Sequence, residues 1–179
     1  RRSSDLYREL VRGLGIACGD DDPRVRPAPA TRELAERALA EAGIDPASRF
    51  VALAPGAAYG QAKQWPPARV AELSARLVRE AGVRCVLVGA PHDREASREI
   101  ESWLRAHAEA ARPGVVDLVG RTDLRAFTGI ADRAAVFVAN DSGAMHVAAA
   151  LARPVVALFG STDERATGPL GPHDVLFEP

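Results

Sequence analysis

The chain has 179 residues, 47% of them apolar and 26% charged, with a formal net charge of −1. That length and composition suit one well-packed globular domain and exclude a disordered or fibrous chain. The near-zero charge excludes a general electrostatic pull toward nucleic acid or an acidic membrane surface, so no nucleic-acid partner is expected and recognition must be local.

The first predicted element is a short helix over residues 4–14. It is followed by GIACGDDDPRVRPAPA, whose glycine, aspartate and proline density marks a linker. The acidic run Asp20 to Asp22 precedes a proline and reads as a solvated turn. Thr31 is positioned to cap a second helix that ends at Gly43. From residue 49 the chain alternates. RFVALA (49–54) is a strand, residues 66–82 a helix with prolines at its start and Gly82 at its end, and VRCVLVG (83–89) a strand. Then come a helix over 93–111, a strand over 114–120, a helix over 122–133, a strand over 134–139, a helix over 142–152 and a strand over 155–160. HDVLFEP (173–179) closes the chain as an extended piece. Short apolar strands separated by amphipathic helices predict an α/β architecture, a Rossmann-like doubly wound parallel sheet covered on both faces. The expected organisation is a helical and linker segment over 1–48 and the Rossmann-like domain over 49–179.

Two cysteines are too few for a disulfide framework, and Cys85 lies in an apolar run that predicts a buried, reduced thiol. The longest apolar stretch, 147–159, is broken by Arg153 and Pro154, and the first ten residues contain no hydrophobic region. Neither a membrane-spanning helix nor a signal peptide is expected, and the expected location is the cytoplasm.

A doubly wound sheet binds ligands at the C-terminal ends of its strands, where helix N-termini present unpaired N–H groups. In NDSGAMH (140–146), Asp141 and Ser142 fall at a helix N-cap, Gly143 leaves room for a ligand to approach the backbone, and His146 shares a helix face with Ser142. The helix dipole favours an anion there. Lys63 is the single lysine in a Lys+Arg total of 23 and lies in the loop after the first strand of the alternating region. A compact, flexible ammonium suits a narrow anionic site better than a planar guanidinium does. Asp93, after the second strand of that region, stands where dinucleotide folds keep the acid that holds ribose hydroxyls. Each residue also has a purely structural reading: Asp93, Asp141 and Ser142 as helix caps, Lys63 as a solvated surface charge, Asn140 as a strand terminator and His146 as an edge histidine. No GxGxxG follows the first strand and PGAAYG lacks the ending of a Walker A loop, which weakens nicotinamide, flavin and P-loop readings. His92 and His173 have no partners at ligand spacing, and no metal-binding cluster or cofactor is expected.

Taken together, PGAAYGQAKQWP, VLVGAPHDREA, LVGRTDLRAF and VANDSGAMHVAAALARPVVALFGST resemble the C-terminal half of glycosyltransferase family 9, the ADP-heptose:lipopolysaccharide heptosyltransferases, and within it the heptosyltransferase II branch. The resemblance covers about residues 50–171. It implies a GT-B enzyme whose N-terminal domain, not matched here, holds the lipopolysaccharide core acceptor and the general base, while this half holds the nucleotide-sugar donor, ADP-heptose. It further implies that Lys63 contacts the diphosphate, Asp93 the ribose, Ser142 and Gly143 the phosphates, and Asp141 the heptose hydroxyls, with His146 nearby and Thr122 beside the adenine. Lys63 and Asp141 would be the residues closest to catalysis. On this reading the chain is a fragment of a cytoplasmic two-domain transferase and is inactive alone, with any contact to the inner face of the inner membrane made by the absent domain. The alternative is a non-catalytic nucleotide-sugar binding module. Asp141→Asn, which keeps shape and capping, is expected to leave ADP affinity nearly unchanged and to act only on the full nucleotide sugar.

Overall fold

A computed structural model describes residues 3–19, 21–45, 47–57, 61–170 and 174–177. Asp20 and His173, named above, lie outside the described residues. Six parallel strands form one sheet in the order β3-β2-β1-β4-β5-β6: β1 (Phe50–Ala54), β2 (Arg84–Leu87), β3 (Val115–Asp117), β4 (Val136–Asn140), β5 (Val155–Leu158) and β6 (Asp174–Phe177). The doubly wound expectation holds. The strand order reverses at β1, which pairs with β2 through Val51↔Cys85 and with β4 through Val51↔Val136.

Side-chain alternation divides the core between the two faces of the sheet. Phe50, Ala52, Ala54, Val86, Phe137 and Ala139 point to one face and Val51, Leu53, Cys85, Leu87 and Val138 to the other. The second face is covered by α3 (Pro67–Ala81) and α4 (Arg94–His107), through Val70, Ala71, Ala75, Ile100 and Leu104. Cys85 is buried there, and desolvation pushes its thiol up to about 12, so it stays protonated at ordinary pH. On the first face lie α5 (Leu124–Arg133), α6 (Gly143–Ala150) and, packed on α5, α2 (Pro29–Glu41). Ala35 and Leu39 of α2 are fully buried in the same core as Phe50 and Phe137. The segment expected as a separate helical linker over 1–48 is therefore built into the body of the domain from Pro29 onward. Before it, α1 (Ser3–Gly13) leaves Leu6, Tyr7 and Leu10 exposed. No described helix is long and apolar enough to cross a membrane.

Several element ends differ from expectation for local reasons. α2 begins at Pro29 with Ala28 as its cap and no side-chain cap bond, so Thr31 sits inside the first turn. Proline is preset for that first position and has no N–H to leave unpaired. α4 stops at His107 rather than near 111, because Ala108 leaves the helical region at φ −148°, ψ 42°, and Glu109–Gly114 follows as a 3₁₀ segment containing Pro113. β3 ends at Asp117, whose Oδ1 accepts from Val119 N at 2.9 Å and turns the chain toward Gly120 at φ 67°. α5 starts at Leu124, capped by Asp123 Oδ1, which accepts from Ala126 N at 2.8 Å. A short α7 (Glu164–Thr167) follows β5.

The α2–α5 crossing has no spare room at Gly129, where a Cβ would fall 2.5 Å from Thr31 O and 2.7 Å from the Ala35 side chain. Backbone cannot yield as a flexible side chain does. Gly129→Val should destabilise the fold by about 2–3 kcal/mol through overpacking, read from urea unfolding. A loss below about 0.5 kcal/mol would show that α2 is not firmly docked.

Candidate functional site

The C-terminal ends of β1, β2 and β4 meet where the strand order reverses, and a crevice of ≈ 530 Å³ opens there. Its floor is made by the β1 and β2 ends, Gly56 and Gly89. Asp93 is 8% exposed and lies directly against both glycines, whose Cβ atoms would occupy the space of its carboxylate. The carboxylate does not cap α4: Oδ2 accepts from Ala90 N at 2.8 Å, closing the turn before the helix, and Oδ1 lies 3.4 Å from His92 Nε2. Asp93 thus closes the 3₁₀ turn Pro91–Asp93 that leads into α4 rather than capping α4 itself, and the side chain also lines the crevice.

One wall is the N-terminus of α6. Ser142 occupies the N-cap position with extended backbone, yet its hydroxyl makes no cap bond, and Oγ is buried without a hydrogen-bond partner among the described residues. Gly143 faces open space, since a Cβ there would meet nothing within 4 Å. The result is a helix end at the crevice whose cap hydroxyl makes no bond to the helix and whose glycine leaves the backbone uncovered. The crevice also carries Thr122 and an apolar wall of Pro91, Leu124 and Phe127, with Val147 one turn along α6 from Gly143. Leu124 is 72% exposed, although it is a large aliphatic residue beside a cavity. The sequence reading missed this apolar wall, because LRAF reads as the start of an ordinary amphipathic helix.

Beside the crevice, the end of β4 organises the loop after β1. Asn140 is 1% exposed; its Nδ2 donates to Pro55 O at 2.9 Å and Gly56 O at 3.2 Å, and its Oδ1 accepts from Trp65 N at 3.0 Å. It therefore ties together both ends of the loop that bears Lys63, a role beyond terminating a strand. Lys63 Nζ donates to Asp141 Oδ2 at 2.8 Å, with side-chain exposures of 24% and 7%. Thr162 Oγ1, from the loop after β5, donates to the same oxygen at 2.8 Å. Ser161 Oγ bonds Ala62 O at 3.3 Å and holds that loop to the lysine's turn. Lys63 is thus not a free surface charge. Thr162 was not singled out from the sequence, although its segment GSTDE stands at a strand end.

The structure therefore gathers Asp93, Thr122, Ser142 and Gly143 around one crevice and sets the Lys63–Asp141 pair at its side. His146 is exposed and lies outside the crevice lining. Among the described residues no group of three His, Cys, Asp or Glu side chains is placed to hold a metal ion.

The chain is similar to known proteins in sequence and in fold. The family model described as glycosyltransferase family 9 (heptosyltransferase) matches residues 16–178. Over 121 residues the chain is 41% identical to lipopolysaccharide heptosyltransferase 2 of Salmonella typhimurium, an alignment covering 68% of this chain and 34% of that protein. The structure of the Escherichia coli ADP-heptose LPS heptosyltransferase II aligns with a TM-score of 0.78 at 29% identity, covering 92% of this chain and 47% of that one. A glycosyltransferase family 9 protein from Veillonella parvula shares the fold with a TM-score of 0.84 at 22% identity, covering 100% of this chain and 49% of that one. The chain thus spans about a third of the length of the curated relative it matches.

Asn140→Ala should destabilise the protein by about 2–3 kcal/mol, because it leaves two buried carbonyls and one N–H without partners. Asn140→Asp should be at least as damaging at neutral pH, where a carboxylate faces two carbonyl oxygens with no proton to donate. Lowering the pH should recover part of that loss as the carboxyl regains a donor. Equal unfolding midpoints for all three proteins would remove Asn140 from this role.

Proposed function

The chain belongs to glycosyltransferase family 9, and from that premise we propose that it is the donor-binding half of a heptosyltransferase, which binds a nucleotide-activated heptose, ADP-heptose, for transfer to a lipopolysaccharide core acceptor. The observation that carries the reading is the crevice itself. It joins an apolar wall suited to a base, a buried carboxylate suited to ribose hydroxyls and a helix N-terminus suited to phosphate in the lining of one opening. Adenine would lie against Leu124, Phe127 and Val147 with Thr122 at its edge, and Asp93 would accept from the ribose. Ser142 and Gly143 would bind the diphosphate, while Asp141 would face the sugar.

The proposed chemistry is an inverting displacement at the anomeric carbon by an acceptor hydroxyl. The C–O bond to the diphosphate breaks as the new glycosidic bond forms, the hydroxyl proton passes to a base, and ADP leaves. This chain's part is to bind and orient the donor and to stabilise the charge that grows on the leaving diphosphate, through the α6 N-terminus and Lys63. Acceptor placement and the base belong, on this reading, to a further domain, a reading supported by the chain's covering only 47% of the heptosyltransferase II structure it aligns with.

Calorimetry with ADP, UDP and GDP tests the donor site, and ADP should bind best. Lys63→Ala should weaken ADP-heptose binding by about 1–3 kcal/mol, the usual cost of a lost charge-assisted contact. Binding should also weaken as salt rises from about 10 to about 500 mM, over which the screening length shrinks severalfold. With ADP-heptose and a core acceptor, this chain alone should release ADP only slowly and form no transfer product. Failure to bind any nucleoside diphosphate would end the donor-site reading.

A further inference from the structure

Lys63 and Thr162 share one acceptor, Asp141 Oδ2, each at 2.8 Å. No other described side chain or N–H donates to this carboxylate, and its side chain is 7% exposed. Its two donors differ in kind. Thr162 is a neutral hydroxyl on the loop after β5, pinned by its neighbour Ser161 to Ala62 O. Lys63 is a mobile ammonium at the end of a four-carbon stem, and it is the one lysine of the chain. Asp141 immediately precedes Ser142 and Gly143, so an anion held by the α6 N-terminus would lie close to both the lysine and the carboxylate.

That anion and Asp141 therefore compete for one cation. If Lys63 turns to a phosphate, a largely buried carboxylate keeps only the Thr162 hydroxyl and gains a negative neighbour, a costly arrangement for a desolvated charge. A ligand that also brings hydroxyl groups removes the conflict, because a sugar O–H can donate to Asp141 in place of Lys63. We propose that the Lys63–Asp141 bond is a partner-exchange latch: sugar hydroxyls displace Lys63 from Asp141 and release it to the phosphates, while Thr162 holds the carboxylate in place throughout. The latch rests on the donor-site reading and adds to it a basis for discrimination. Sugar binding and lysine–phosphate contact become coupled, and by reciprocity a bare nucleoside diphosphate, the product, is held weakly. Asp141 then selects for the intact donor by opposing the spent one.

On this proposal Asp141→Asn does not leave ADP affinity unchanged. An amide keeps the shape and the Thr162 bond but no longer holds the ammonium by charge. ADP should bind Asp141→Asn about tenfold more tightly than it binds the wild type, and ADP-heptose should bind less tightly, so that the preference for the sugar nucleotide collapses. Thr162→Val should weaken ADP binding severalfold, since Asp141 then depends on Lys63 alone, and Thr162→Ser should restore it. Adding Thr162→Val to Asp141→Asn should change nothing further, an outcome that simple structural damage would not give.

Calorimetry of the 179-residue chain and these variants with ADP and ADP-heptose supplies the affinities. Lysine-selective isotope labelling gives a single side-chain ammonium signal, from Lys63, which ADP-heptose should move far more than ADP does. Unchanged or weaker ADP binding by Asp141→Asn, with the wild type binding both ligands, would overturn the latch and leave the donor site standing. Absence of ADP and ADP-heptose binding by every variant would overturn both.

Discussion

The site hangs on one buried amide. Asn140 closes β4 and spends its donors and its acceptor on the two ends of a loop that is far away in sequence. A side chain with only donors or only acceptors would leave at least one of those backbone groups unpaired in a dry environment, where each orphan costs about 1–3 kcal/mol. The tie determines where the turn carrying Lys63 stands relative to β4, and the next residue, Asp141, meets the lysine there. Packing, loop path and ion pair are consecutive consequences of the same strand end.

The sheet supplies the rest of the geometry at little cost. Reversal of strand order beside β1 puts α3 and α4 on one face and α5 and α6 on the other, which leaves an unroofed crevice over the strand ends. Small residues keep it open: Gly56 and Gly89 make room for Asp93, and Gly143 leaves the helix end bare. The buried and unpartnered Ser142 hydroxyl fits this division of labour. Among the described residues two buried side-chain polar atoms lack a partner, Arg133 Nε and Ser142 Oγ, and the second belongs to a residue of the cavity lining.

The fold was legible because its signals are local and repeated. Apolar runs such as RCVL and VFVAN are bounded by amphipathic helices with proline starts and glycine ends, and the strand-end rule then pointed to Asp93, Ser142 and Gly143. Less was legible where one residue's role is set by another distant in sequence. Nothing near Thr162 announces that it faces Asp141. Nothing in the weakly patterned PATRELAERALAE announces that Ala35 and Leu39 reach the main core, since a small-residue helix docks through close approach at Gly129 rather than through a strong apolar stripe. Lys63 was noticed for its position, but its bond to Asp141 depends on the Asn140 tie, which periodicity cannot reveal.

The solitary lysine also makes the chain unusual as a substrate for proteases. A lysine-directed endoprotease has one bond to attack, Lys63–Gln64, placed in a turn that Asn140 anchors beyond Gln64 at Trp65 and that Ser161 grips at Ala62. Cleavage requires that turn to detach from β4 and the β5 loop, because a protease binds its substrate in an extended form. The rate of a single cut into fragments 1–63 and 64–179 therefore reports how often the whole loop lifts from the sheet, an opening that spectroscopy averaged over the domain would not isolate.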